Sequence, residues 1–221
     1  MREISRIKAN FVFFDLDGTL VDSLPALYNS YLEFLQSFGI VGSPEEFQSL
    51  NGPSLEEIVA FLKKKYGIQR SAKALLKQYQ DEIGRRYLTE VQGCLNANKV
   101  LMYLQKCKKK CFLVSSNSPS IAQPLIRNLG WEPFFVDYVY GPDVTRAKPD
   151  PAIYQMALKK SGANLSDVVV VEDSINGIKS AGEAGLKVIA YSAARKDKSL
   201  FDKTGAVCGI SDLLDLLKII E

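Results

Sequence analysis

Two acidic pairs carry the first hint of chemistry in this chain. Asp15-Leu16-Asp17-Gly18-Thr19 sets carboxylates at i and i+2, and Glu172-Asp173 sets two in succession. Each pair follows an apolar run, Phe11–Phe14 or Val168–Val171, of the kind that forms strands buried on both faces. In open α/β sheets the crevice at the carboxyl ends of the strands is where ligands bind, and Gly18 permits a sharp exit from the first strand. Like charges gathered there need a cation to neutralise them. Hard oxygen donors without imidazole or thiolate select Mg²⁺, held by a few carboxylates together with substrate phosphate and water. Two further stations follow. Ser116-Asn117 trails the run that ends at Val114 and leads through Ser118-Pro119-Ser120 into a helix, so hydroxyl, amide and backbone donors gather at an anion-friendly helix start. Lys148, in Arg146-Ala147-Lys148-Pro149-Asp150-Pro151, precedes another helix; a lysine considered alone is most often a surface residue.

The elements that must position these residues alternate. Further strand-like runs lie at Cys111–Ser115, Phe134–Tyr140 and Val188–Tyr191. Between them, Ile121, Leu125, Ile126 and Leu129 keep helical spacing up to Gly130, and Pro151–Ser161 opens with Asp150-Pro151 as a helix start. Strands alternating with helices predict a Rossmann-like α/β core on a parallel sheet. Gly177, Ala181, Ala184 and Gly185 read as a flat helix face for close packing on the sheet, without chemistry. Residues 22–94 break the rhythm with three helical patterns and no strand. Their apolar faces are Leu27 to Phe38, Ile58 to Leu62 behind the capping box Ser54-Leu55-Glu56-Glu57, and Leu75 to Tyr87. The expected organisation is a discontinuous core, residues 1–21 and 95–221, with an all-helical insert over 22–94.

Composition removes several classes of function. The 221 residues contain no histidine, which excludes Ser-His-Asp hydrolysis, phosphohistidine chemistry and histidine-ligated zinc or haem. Net charge is +3, and the insert holds eight Lys/Arg against nine Asp/Glu; neither is a nucleic-acid footprint. The run Lys106, Lys108, Lys109 and Lys110 reads as the solvated end of a helix. Cys94, Cys107, Cys111 and Cys208 form no C-x-x-C, so buried reduced thiols of a cytoplasmic protein are expected. No apolar run reaches the length of a membrane span, and the start lacks the pattern of a signal peptide. Neither nucleic acid nor membrane is an expected partner, and the expected assembly is a monomer or weak homodimer.

Taken together and in order, the four stations resemble the haloacid dehalogenase superfamily of phosphotransferases. Asp15-x-Asp17-Gly18-Thr19 is similar to its first motif, Ser116-Asn117 to its second, Lys148 to its third and Glu172-Asp173 to its fourth. The helical insert lies where the class with an α-helical cap domain carries it. The resemblance implies Asp15 as nucleophile and Asp17 as general acid/base. It also implies phosphoryl binding by Ser116, Asn117 and Lys148, and Mg²⁺ held by Asp15, Asp173 and the Asp17 backbone carbonyl. Glu172 joins that site either directly or through water. It further places the first strand between those bearing the second and fourth motifs. The implied activity is a Mg²⁺-dependent phosphatase of the phosphoglycolate or sugar and polyol phosphate type, working through an aspartyl-phosphate. The competing reading within the family is a β-phosphoglucomutase, whose signature carries a histidine in the cap hinge where this chain has Leu27. A catalytically silent binding protein on the same fold is the alternative of another class. Specificity is expected from the cap loop, with Asn51, Gly52 and Ser54 as candidates.

Overall fold

From the amino end, β1 (Phe11–Phe14) leads through a turn to the two-residue strand β2 (Val21–Asp22). Four helices follow: α1 (Leu24–Gln36), α2 (Pro44–Ser49), α3 (Leu55–Tyr66) and α4 (Ala72–Thr89). The chain returns through β3 (Gln92–Gly93) and then alternates through α5 (Ala97–Lys106), β4 (Lys110–Ser115), α6 (Pro119–Asn128), β5 (Phe135–Tyr140) and α7 (Ala152–Ser161). It closes with β6 (Val168–Glu172), α8 (Ile175–Glu183), β7 (Lys187–Tyr191), β8 (Cys208–Ile210) and the turn of helix α9 (Leu216–Ile219). This computed structural model describes residues 6–50, 53–193 and 205–221.

Six strands form a parallel sheet in the order β5-β4-β1-β6-β7-β8. β1 is therefore flanked by β4 and β6, the strands that end at Ser115 and Glu172. The sheet is apolar on both faces because alternate residues of a strand point to opposite sides. Val12 and Phe14 of β1, with Val169 and Val171 of β6, join one core alongside Val100, Leu101 and Ile121. Phe13, Val168 and Val170 join a second with Ile153, Tyr154 and Ile178. Each such fully buried side chain contributes roughly 1.5–3 kcal/mol, which fixes the register and the height at which the strand ends emerge.

The insert departs from expectation in two places. A fourth helix, α2, was hidden by its six-residue length, too short for a periodic signal. Its start was nonetheless encoded locally, by Ser43 accepting from Glu46 N at 3.2 Å and by Pro44. The two crossings into the core are also joined as strands, Val21 pairing with Gly93 and Asp22 with Gln92. The cysteines differ as well: all four are free, but only Cys111 is buried, whereas Cys107, capping α5, is exposed.

Glu46 ties the insert together. Buried at 9% exposure, its carboxylate accepts from Tyr31 of α1, from Tyr66 of α3 at 2.6 Å and from Lys65 at 2.7 Å. Burial pushes its pKa up, but the Lys65, Tyr31 and Tyr66 donors outweigh this and hold it below the ordinary glutamate value. A depressed folded-state pKa stabilises above the unfolded pKa, and that contribution vanishes as pH falls through the folded value. Glu46→Ala is expected to cost about 2 kcal/mol near pH 7, since it strands tyrosine hydroxyls. In urea unfolding, the gap between wild type and variant should shrink as pH drops below about 4. A gap independent of pH would contradict the ionised role of Glu46.

Candidate active site

The exit of β1 aims its first carboxylate at the neighbouring strand. Asp15 N donates to Val171 O at 3.0 Å, continuing the β1–β6 ladder and setting Asp15 beside Glu172. Gly18 then turns the chain with φ +79, and a Cβ there would overlap the Asp173 carboxylate, so glycine is required twice over. Thr19 Oγ1 donates to Asp173 Oδ1 at 3.1 Å and fixes that side chain.

Lys148 arrives from the loop between β5 and α7 and is 4% exposed, not a surface residue. Its Nζ donates to Asp15 Oδ1 at 2.7 Å, to Glu172 Oε1 at 2.7 Å and to Val114 O at 3.3 Å. Glu172 is fully buried. Tyr154 donates to its Oε1 at 3.2 Å, while Ser174 N and Oγ donate to Oε2 at 2.9 and 3.0 Å. Oxygens of Asp15, Glu172 and Asp173 lie within 4.8 Å of one another, a trio of hard donors that fits Mg²⁺ by its chemistry. Glu172 is thus at once a member of this trio and the anchor of Lys148.

Burial drives the electrostatics. It pushes Asp15 well up, against the pull of Lys148. It pushes Asp173 up to about 8, with the Glu172 charge adding to the effect. Lys148 is disfavoured by burial, but Asp15 and Glu172 raise it well above an ordinary lysine, so it stays charged. Asp17 is raised by the protein packed around it, with Ser23 and Tyr87 opposing. Among the described residues the fully buried Ser23 hydroxyl has no hydrogen-bond partner of good geometry, although it lies near enough to favour the ionised Asp17.

Tyr87 is the functional residue that sequence reasoning missed. Its spacing on α4 reads as core, and it is 1% exposed, yet its hydroxyl donates to Asp17 Oδ1. Asn117 Nδ2 donates to Asp17 Oδ2 at 2.6 Å and to the Tyr87 hydroxyl at 3.0 Å. Asn117 is therefore engaged with Asp17, a different contact from the phosphoryl binding expected of it. Ser116 lines the cavity above the carboxylates, which has a volume of about 490 Å³ and is walled on the far side by the insert. Ser54 also lines it, but its hydroxyl is committed to capping α3, accepting from Glu57 N at 3.2 Å. Asn51 and Gly52 lie outside the described residues. The flat face also changes meaning: Gly185 lies beyond α8 at φ +81, and Gly177 makes room for the Glu172 carboxylate.

Residues 12–191 match the profile of haloacid dehalogenase-like hydrolases. The chain is 31% identical over 218 residues to the 6-phosphogluconate phosphatase of Escherichia coli, covering 97% of this chain and 96% of that one. It is 26% identical to a phosphorylated carbohydrates phosphatase of Thermotoga maritima, covering 94% and 97%. A crystal structure from Thermotoga maritima, provisionally named a β-phosphoglucomutase, superimposes with a TM-score of 0.76 at 26% identity, covering 94% and 98%. The chain belongs to the haloacid dehalogenase-like hydrolase family, on the phosphatase and β-phosphoglucomutase-like side of it, and is a phosphoric monoester hydrolase.

The contact between Gly177 and Glu172 gives a test of how tightly the site is built. Alanine for glycine inside a helix ordinarily gains ~1 kcal/mol. At Gly177 the added methyl would overlap the Glu172 carboxylate, whereas at Gly182 it meets nothing within 4 Å. Gly177→Ala is expected to destabilise by about 1–3 kcal/mol in urea unfolding, and Gly182→Ala to be neutral or stabilising. Gains at both positions would show that α8 does not confine Glu172.

Proposed function

We propose that this haloacid dehalogenase-like hydrolase is a Mg²⁺-dependent phosphatase of small phosphorylated metabolites that works through an aspartyl-phosphate on Asp15. One observation carries the reading: at the end of the central strand, under a cavity, Asp15 is hydrogen-bonded to a buried lysine and grouped with Glu172 and Asp173. Asp15 and Asp173, with the Asp17 backbone carbonyl, would hold Mg²⁺. Bound there, the ion supplies positive charge against the phosphoryl oxygens and the nucleophile.

The chain's own groups then divide the work. Lys148 and Ser116 hold the transferring phosphoryl group and offset its charge. An oxygen of Asp15 forms the bond to phosphorus as the bond to the leaving oxygen breaks, and Asp17 gives its proton to that oxygen. Asp17 then takes a proton from water, whose oxygen bonds to phosphorus as the bond to Asp15 breaks. A carboxyl raised by its surroundings, as Asp17 is, suits a group that must carry a proton near neutral pH. Tyr87 and Asn117 aim it. The insert, residues 22–94, acts as a cap that excludes water, swinging on the paired crossings at Asp22 and Gln92. A mutase has less support, because Leu27, an alkyl side chain, lines the cavity where that group's signature carries histidine.

Chelation by EDTA is expected to abolish turnover and Mg²⁺ to restore it. Asp15→Asn should form no phosphoenzyme. Asp17→Asn with p-nitrophenyl phosphate, whose leaving group departs without a proton, should release about one nitrophenol per enzyme in a burst and then slow. Full activity in chelator, or an Asp17→Asn protein that binds Mg²⁺ but shows neither burst nor phosphoenzyme, would overturn the assignment.

A further inference from the structure

The cavity has an unusual balance of charge for a site that takes a phosphate ester. Its floor carries Asp15, Asp17 and Asp173, with Lys148 as the one cation among the described lining residues. That cation is already paired with Asp15 and Glu172. The insert's side of the cavity adds two more carboxylates, Glu56 and Glu57, in the first turn of α3, and no lysine or arginine. Asn51 and Gly52, outside the described residues, carry no charge either. Four of the insert's eight cations are ion-paired elsewhere, Lys65 with Glu46, Lys77 with Asp81, and Arg85 and Arg86 with Glu33 and Glu82, and none of the eight lines the cavity. The rest of that wall is apolar, with Leu27, Phe47, Ile58 and Ile83 facing the space, and Gln80 among the neutral polar side chains there.

A phosphoryl group and its metal account for the floor. Among the described lining residues they leave no cation to pair a second anion on the leaving alcohol. A carboxylate at the far end of the leaving alcohol would face Glu56 and Glu57, both exposed and the latter with its Oε2 accepting from Ser54 N at 2.8 Å, and like charges at that range repel. Hydroxyl groups meet the opposite situation, since carboxylates and the Gln80 amide accept from them, and the C–H edge of a carbon chain can lie against the apolar wall. A volume of about 490 Å³ is ample for a six-carbon chain. We propose, resting on the phosphatase reading, that the preferred substrates are phosphate monoesters of uncharged polyols or sugars, and that a second anionic group on the leaving alcohol is selected against.

The test uses two esters that differ at one carbon: D-glucitol 6-phosphate, with CH₂OH at C1, and 6-phospho-D-gluconate, with a carboxylate there. With Mg²⁺ present, kcat/KM is expected to be about tenfold or more higher for the hexitol ester. Glu56→Lys, which reverses one wall charge, should narrow that ratio by about threefold or more by raising turnover of the gluconate ester. A ratio near one, or in favour of the gluconate ester, overturns the proposal. So does a ratio that Glu56→Lys leaves unmoved, because wall charge would then not be its cause. p-Nitrophenyl phosphate separates this failure from a deeper one. If it is hydrolysed while the two hexose-derived esters rank equally, only the substrate inference falls. If neither it nor the hexitol ester is hydrolysed, the phosphatase reading falls and takes the inference with it.

Discussion

One buried ammonium between two carboxylates sets the terms for the rest of this protein. Lys148 reaches Asp15 and Glu172 at the same 2.7 Å while almost wholly shielded from water. Removing any member of such a group strands charge in a dry place, at about 3–5 kcal/mol. The surrounding fold answers that constraint directly. Parallel pairing of β1 with β6 brings Asp15 beside Glu172, Tyr154 and Ser174 occupy the remaining Glu172 positions, and Gly177 leaves the volume. Even so, four carboxylates face one lysine, and burial, with the neighbouring carboxylate charges adding to it, raises the pKa values of Asp15, Asp17 and Asp173. Raised in this way, these carboxyls hold protons more readily than ordinary aspartates, and a divalent ion placed among them would supply the opposite charge.

The insert contributes in a different way. Its internal order comes from aromatic packing and from Glu46, which gathers α1, α2 and α3. Its longest helix, α4, packs against α6 of the core and delivers the Tyr87 hydroxyl to Asp17. Position of the insert and orientation of the Asp17 carboxylate are therefore linked through one side chain, and the same body supplies the far wall of the cavity.

How much of this was legible in the sequence depended on whether a signal was local. Apolar runs ending in acid announced β1 and β6, and their position in the sheet followed from the family resemblance. The capping box before α3 formed as read. Tyr87 could not be found this way, because a tyrosine at helical spacing looks the same whether its hydroxyl meets water or a carboxylate 70 residues away. Lys148 shares that difficulty, because its partner Asp15 lies 133 residues away, and the role of Gly177 emerges only once the turn from β6 into α8 brings it against Glu172. Helix α2 and the two-residue strands were too short to generate a period. Asn117 was expected at the phosphoryl group; that its amide also reaches Asp17, 100 residues away, is a contact no local pattern encodes.

The central claim is that the acidic crevice is a metal site whose charge imbalance is held by protons until the ion arrives. Calorimetric titration of Mg²⁺ into the metal-free protein, in buffers of differing ionisation enthalpy, tests it without any substrate. With Asp173 pushed up to about 8, most of that carboxyl is protonated at pH 7, so binding must displace protons. The expected result is about one ion per chain with proton release at pH 7, declining towards zero above about pH 9, and lost binding in Asp173→Asn. Absence of binding, or binding without proton release that Asp173→Asn leaves unchanged, would contradict it.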